Sequence, residues 1–106
     1  MGVARVSKKD RRQERTNALI TPNYEMLPEH CRAGMKRYIE NGVIPGSFLQ
    51  AVICNDLVGA FSLADSINSE RLKDYAHFLY NEIPSPAWRS KEKMKAWAEA
   101  RRMEAE

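Results

Sequence analysis

Cysteine, long apolar runs and metal-ligand clusters are scarce in this chain of 106 residues. Its two cysteines, Cys31 and Cys54, form no disulfide framework and lack the Cys-x-x-Cys spacing of a zinc site. We predict free thiols and no metal site. No run approaches the roughly 18 apolar residues of a membrane span. Charges begin at Arg5 without the apolar segment of a signal peptide. We therefore expect a cytoplasmic protein with no membrane partner.

The motifs of the common enzyme classes are also missing. The sequence has no Gly-x-Ser-x-Gly, no His-Glu-x-x-His, no phosphate-binding loop and no Gly-x-Gly-x-x-Gly. His30 and His77 have no obvious Ser/Asp or Cys/Asp partner. Asp56 and Asp65 are about 2.5 helical turns apart, on opposite faces. We predict a protein that is not an enzyme, with no catalytic residue and no cofactor.

The net positive charge of the chain comes from residues 1–26. This segment has six basic and three acidic residues, whereas residues 27–106 have eleven of each. Few large apolar residues occur there, so we expect a basic arm, disordered or extended. Such an arm either contacts nucleic acid or an acidic partner, or serves as a solubilising tail. Its candidate contact residues are Lys8, Lys9, Arg11, Arg12 and Arg15.

Residues 27–106 carry helical patterns and no alternating strand pattern. A first helix is predicted from Pro28 to Asn41, with Gly42 as a left-handed cap. Its apolar stripe, at i, i+4, i+7 and i+8 spacing, is Cys31, Met35, Tyr38 and Ile39. A second helix is expected from Phe48 to about Cys54, begun by a capping box of Ser47 and Gln50.

The remaining helices follow further capping signals. Asn55 and Asp56 precede a third helix, and Ser66 or Asn68 caps a fourth that ends near Glu82. The third and fourth helices are alternatively one bent helix, because neither glycine nor proline separates them. Ser90 caps a fifth helix that follows the proline-rich turn.

These patterns predict an all-α single domain, a bundle of four to five short helices with a flexible basic N-terminal arm. A domain of this size has a thin core, so we expect it to form a homo-oligomer. The side chains predicted to build the core are large and apolar: Phe48, Leu49, Val52, Ile53, Leu57, Phe61, Leu72, Leu79 and Trp97.

Several short motifs in fixed order resemble a group of small phage and prophage proteins that have no settled biochemical role. The motifs are Leu27-Pro28-Glu29-His30, Tyr38 through Leu49, Asn55-Asp56-Leu57, Ala64-Asp65, Phe78 through Glu82, and Trp88. The chain departs from the group at Arg89, where relatives usually have glycine, and at Lys91, where proline is common. The resemblance implies a phage-encoded accessory protein in the cytoplasm of a bacterial host cell, and it carries over no catalytic residue.

A set of polar and aromatic residues around the predicted turns has two interpretations. One is helix capping, because short helices require many caps. The other is a pocket for a small anion, in which helix N-termini and arginines such as Arg37 and Arg71 bind phosphate and aromatic rings stack on a base. The candidate ligand-binding residues are Ser47, Asn55, Asp56, Asn68, Tyr80, Asn81, Trp88, Arg89 and Ser90.

Three functions remain open at this point. The first is a homo-oligomeric protein that sequesters a small anionic, nucleotide-like host defence signal. The second is a phage protein that binds and inhibits a host defence protein. The third is a nucleic-acid binder that uses the basic arm, which ranks last because the body is neutral and a DNA-binding domain usually has a basic face of its own.

Overall fold

Six α-helices form the domain in the computed structural model, which describes residues 22–105. The helices are α1 (Glu29–Asn41), α2 (Ser47–Ile53), α3 (Leu57–Leu63), α4 (Ser66–Glu70), α5 (Leu72–Glu82) and α6 (Lys91–Ala105). Single 3-10 turns occur at Tyr24–Met26 and Ser85–Ala87, and no strand occurs between residues 22 and 105. The all-α prediction is confirmed. The predicted contact residues of the arm, Lys8, Lys9, Arg11, Arg12 and Arg15, lie outside the described residues.

Helices α1 and α6 pack against each other at the centre of the fold. The four residues of the predicted α1 stripe are all buried, as expected. Trp97 of α6 donates its indole N–H to the carbonyl oxygen of Ile39 at 3.0 Å. The Tyr38 hydroxyl donates to the carbonyl oxygen of Ala87 at 2.5 Å, which fixes the turn before α6. These polar contacts satisfy groups that would otherwise be buried without a partner.

Aromatic contacts connect α2 and the N-terminal turn to α5. Phe48 meets Tyr75 edge to face with ring centroids 5.3 Å apart, and Tyr24 packs on Phe78 at 5.7 Å. Tyr75, Phe78 and Leu79 form the buried side of α5. The opposite side of α5 is consequently turned away from the core.

The predicted core is confirmed in part. Leu49, Val52, Ile53, Leu79 and Trp97 are buried, and Phe48 and Leu72 pack against the core while partly exposed. The prediction was wrong for Leu57 and Phe61, which are 71% and 62% exposed. Helix α3 buries only Ala60, because its small side contacts the body and its bulky side faces outward. The periodicity identified the helix but not which side faces inward.

The predicted cap of α2 is wrong, and the cap of α3 predicted at Asn55 and Asp56 is correct for Asp56 only. Gly46 is the N-cap of α2 without a side-chain bond, so the capping box of Ser47 and Gln50 does not form. The Gln50 amide instead donates to the carbonyl oxygen of Pro45 at 2.8 Å. Asp56 alone caps α3 by accepting from the Gly59 N–H at 3.0 Å, while Asn55 adopts the left-handed region at φ 66°.

The predicted fourth helix is two helices, α4 and α5, which is why the count exceeds the predicted four to five. Asp65 caps α4 by accepting from the Asn68 N–H at 2.7 Å, so the prediction of Ser66 or Asn68 as the cap was wrong. Arg71 ends α4 and precedes α5. The predicted cap at Ser90 is confirmed, because its hydroxyl accepts from the Lys93 N–H at 3.1 Å.

The length and hydropathy of the helices bear on membrane insertion. Within residues 22–105, none is both long and apolar enough to cross a bilayer.

Candidate functional site

An open groove of about 410 Å³ lies between the outer side of α5 and the turn that contains Trp88. Hereafter it is the Trp88 groove, and its lining residues are Asn55, Lys73, Ala76, His77, Leu79, Tyr80 and Trp88. Three of the residues predicted from sequence to bind a ligand, Asn55, Tyr80 and Trp88, therefore lie together. They come from the end of α2, from α5 and from the turn before α6.

The polar wall of the Trp88 groove follows from the helical period of α5. Lys73, His77 and Tyr80 are spaced i, i+4 and i+7, so they share one side of the helix. This side is opposite the buried residues of α5, and Tyr80 is 70% exposed. The same period that buries one side of α5 presents a cation, an imidazole and a phenol to the groove.

Arg89 contacts Trp88 but is not itself among the lining residues of the Trp88 groove. Its guanidinium carbon lies 4.6 Å from the centre of the Trp88 ring, which is cation–π distance. The backbone of Arg89 has φ 107°, a region that favours glycine. Its N–H donates to the carbonyl oxygen of Ile53 at 2.8 Å and so holds the turn against the end of α2. A strained backbone of this kind is characteristic of functional sites.

A smaller hollow of about 90 Å³ adjoins the Trp88 groove. Asn55, Ala76 and Leu79 line both, while Asp56 and Leu57 belong to the smaller hollow only. The two openings are therefore continuous along α5. Among the described residues that line the Trp88 groove, Lys73 carries a formal charge, on its ammonium group. Lys73 and Arg89 together outnumber the one carboxylate among the described residues of the adjoining hollow, Asp56, so this part of the surface attracts an anion.

Asn68 lies away from the groove, inside the core. Only 4% of its surface is exposed, and its side-chain oxygen accepts from the Tyr75 hydroxyl at 2.7 Å. Its amide nitrogen contacts the Cys31 sulfur at 3.6 Å. Burial is the first cause that raises the pKa of Tyr75 above its usual value, so the phenol remains a neutral donor. Asn68 thus connects α1, α4 and α5.

The other predicted site residues are dispersed. Ser47 begins α2, Asn81 is half-buried in α5 and Ser90 caps α6, and none of the three lines the groove. Arg71 is engaged by Asp74 and by the carbonyl oxygen of Met26. Sequence reasoning missed Lys73 and His77 as groove residues, although their spacing from Tyr80 along α5 was a usable signal.

A second polar contact joins α1 to the start of α4. His30 Nε2 lies 3.0 Å from Asp65 Oδ2, and both side chains are about half exposed. The Asn68 backbone N–H, followed by His30, lowers the pKa of Asp65. Sequence reasoning had assigned His30 no partner. Between residues 22 and 105, no three His, Cys, Asp or Glu side chains form a group that could hold a metal ion.

The chain was compared with known families, curated proteins and solved structures. No family model matches it, and it matches no curated protein and no solved structure.

Proposed function

We propose that this chain is a non-enzymatic phage accessory protein whose Trp88 groove captures a small anionic ligand with an aromatic ring. Nucleotides are the class with that chemistry, and a nucleotide-like host defence signal is the proposed cargo. The phage origin rests on the resemblance described above, and the defence role is part of the proposal. The ligand chemistry rests on the groove.

Aromatic rings and cations occur together on the walls of the groove. Tyr80 and Trp88 offer ring faces, and stacking of a base on an aromatic side chain contributes about 1–3 kcal/mol. Lys73 lines the groove and the Arg89 guanidinium stacks on Trp88, so both cations are proposed to attract a phosphate. The Asn55 amide adds a donor and an acceptor for a base edge. This combination supports a ligand that carries both an aromatic ring and negative charge.

The size of the groove is compatible with that class. Its volume of about 410 Å³ lies within the roughly 300–1,000 Å³ typical of small-molecule sites. Its lining also includes the apolar side chains of Ala76 and Leu79. An apolar floor with a few convergent polar groups is the usual composition of a ligand site.

The observation that carries the proposal is the placement of Arg89. Glycine would satisfy φ 107° without strain, yet an arginine occupies the position and stacks on Trp88. Strain of about 1–3 kcal/mol persists only where the surrounding structure over-determines the backbone, and such residues cluster at functional sites. A guanidinium fixed on an indole is a preorganised partner for a phosphate beside a stacked base.

Titration with a panel of nucleotides tests the proposal. Mono-, di- and cyclic dinucleotides, free nucleosides and inorganic phosphate are each added while tryptophan fluorescence is followed. Trp88 is half-buried in the groove and Trp97 is buried in the core, so a bound base is expected to quench Trp88. Nucleotides should bind more tightly than either nucleosides or phosphate alone.

Variants locate the binding. Tyr80→Ala and Lys73→Ala each replace an exposed side chain of the groove and should weaken binding at least ten-fold. The matched control is Met103→Ala, which removes an exposed side chain of α6 at 66% exposure. Absence of any binding below about 1 mM, or equal affinity in all three variants, contradicts the proposal.

A protein that binds and inhibits a host protein is the alternative, and the exposed apolar side of α3 is the observation that favours it. Capture of one stoichiometric host protein by the wild-type chain, lost in Val58→Glu, supports it. The nucleic-acid proposal depends on residues 1–26. It predicts binding that falls steeply with salt, since basic arms release counterions.

A further inference from the structure

We infer that a second copy of this chain docks on the outward side of α3 and makes a twofold-symmetric dimer. Leu57, Val58 and Phe61 form that surface, hereafter the α3 face. This inference concerns the free protein and does not depend on any ligand. It goes beyond the expectation of a homo-oligomer because it assigns the interface.

The α3 face is one contiguous patch. Val58 and Phe61 lie about 100° and 40° around the helix from Leu57, so the three side chains share one side. They are 71%, 77% and 62% exposed in chain order. Single exposed apolar residues are common, whereas a contiguous apolar patch of a few hundred Å² is often functional.

The area of the α3 face agrees with what a dimer requires. With roughly 150–200 Å² for each fully exposed residue, the three expose about 350–400 Å² per copy. A specific interface buries about 800 Å² per partner, a little over half of it apolar. The α3 face thus supplies most of the apolar centre, and neighbouring polar residues such as Asn55 and Ser62 supply the rim.

Charge favours a second copy over a highly charged partner. Residues 57–64 contain no Asp, Glu, Lys or Arg in a chain that is 29% charged. Residues 22–105 contain eleven basic and eleven acidic side chains, so net charge does not oppose the approach of a second body. A twofold axis lets the same apolar surface serve both subunits.

The hollow beside the α3 face offers a seat for a partner side chain. Leu57 forms part of the wall of the 90 Å³ hollow, together with Ala51, Val52 and Ala60. Apolar anchors that enter a pocket near the centre of an interface contribute most of the binding energy. Packing of α3 against its copy would bring such an anchor to this opening.

Sedimentation of the full chain without ligand, from about 5 to 500 µM, tests the inference. A concentration-dependent dimer is expected. Val58→Glu should raise the dimer dissociation constant at least ten-fold, since each subunit would bury a carboxylate in an apolar contact. Met103→Glu is the matched control on α6 and should leave it unchanged. Circular dichroism establishes that both variants remain folded.

A charge-complementation experiment tests the twofold symmetry. Val58→Glu and Val58→Lys should each be monomeric, while their equimolar mixture should recover the dimer. A wild-type chain that stays monomeric at 500 µM overturns the inference. It does so even if the α3 face is found to bind another protein. A wild-type dimer that Val58→Glu does not weaken overturns it as well. A wild-type chain that dimerises but binds no nucleotide would contradict the proposed function without contradicting the dimer.

Discussion

Replacement of Arg89 by glycine and, separately, by alanine tests how the turn before α6 is held. Both changes remove the guanidinium from Trp88, and such an exposed cation–π contact contributes about 0.5–1 kcal/mol. Both leave the backbone N–H that donates to Ile53. They differ in one respect, because only glycine adopts φ 107° without strain.

The magnitude follows from these terms. A Cβ in the left-handed region costs about 1–2 kcal/mol, which alanine retains and glycine removes. The greater freedom of glycine in the unfolded chain offsets about 0.5–1 kcal/mol of this gain. We therefore expect Arg89→Gly to exceed Arg89→Ala in unfolding free energy by about 1 kcal/mol. Relative to wild type, the glycine variant should be nearly neutral.

Thermal melts followed by circular dichroism measure the difference. For a domain of this size, about 1 kcal/mol corresponds to a gap of roughly 4–8 °C in Tm. Both variants should lose nucleotide affinity to the same extent, because both lack the guanidinium. An alanine variant that melts at or above the glycine variant refutes the argument that the backbone at residue 89 is strained. Unequal ligand affinities would contradict the role given to the side chain.

Other predictions concern the core and the caps. Gly42→Ala should cost more than about 2 kcal/mol, because φ is 74° and a Cβ would lie 2.3 Å from the Ala98 carbonyl oxygen; urea unfolding beside Gly46→Ala, where a Cβ meets open space, checks this. Tyr38→Phe should cost about 1–3 kcal/mol in the same assay, because a buried carbonyl loses its donor. Burial raises the pKa of Tyr38 in the folded protein, so the stabilisation from its neutral hydroxyl is full below the unfolded pKa of about 10 and is lost as pH rises further. Tm measured from pH 7 to 11 should therefore fall, and it should fall less steeply in Tyr38→Phe. The pKa of Asp65 is lowered, so its pH dependence is the reverse: the stabilisation from its carboxylate is present above the unfolded pKa of about 3.9 and is lost in stronger acid. Asp65→Asn should therefore reduce the fall of Tm at acid pH.

Local signals in the sequence predicted the α1 region well. Spacing of apolar residues and Gly42 at the end define a helix without reference to the rest of the fold. The stripe from Cys31 to Ile39 is buried as predicted, since a strongly one-sided helix has only one way to face a core. The caps were harder, because Asp56 and Asp65 compete with neighbouring Asn and Ser residues for the same N-terminal position.

The errors in α3 have a physical reason. Leu57, Ala60 and Phe61 satisfy a helical spacing whichever side is buried, and a seven-residue helix has few residues to decide between them. The choice is made by packing against α2, which buries Ala60 and leaves Leu57 and Phe61 on the outward side. Long-range packing of this kind is not encoded in a local pattern. The Trp88 groove was predicted only in part, since its lining spans residues 55 to 88: Asn55, Tyr80 and Trp88 were candidates, whereas Lys73 and His77 were not.

The two unusual surfaces of the molecule have a common origin in the short segment that ends α2. Asn55 at φ 66° turns the chain between α2 and α3, and the carbonyl oxygen of Ile53 accepts the Arg89 N–H. The turn at Asn55 sets the direction in which α3 leaves the body and so exposes the α3 face. The hydrogen bond between Arg89 and Ile53 positions Trp88 at the groove. A change at Asn55 that shifts this turn, such as Asn55→Ala in the left-handed region, should therefore weaken both dimerisation and nucleotide binding, whereas Val58→Glu should weaken the dimer alone.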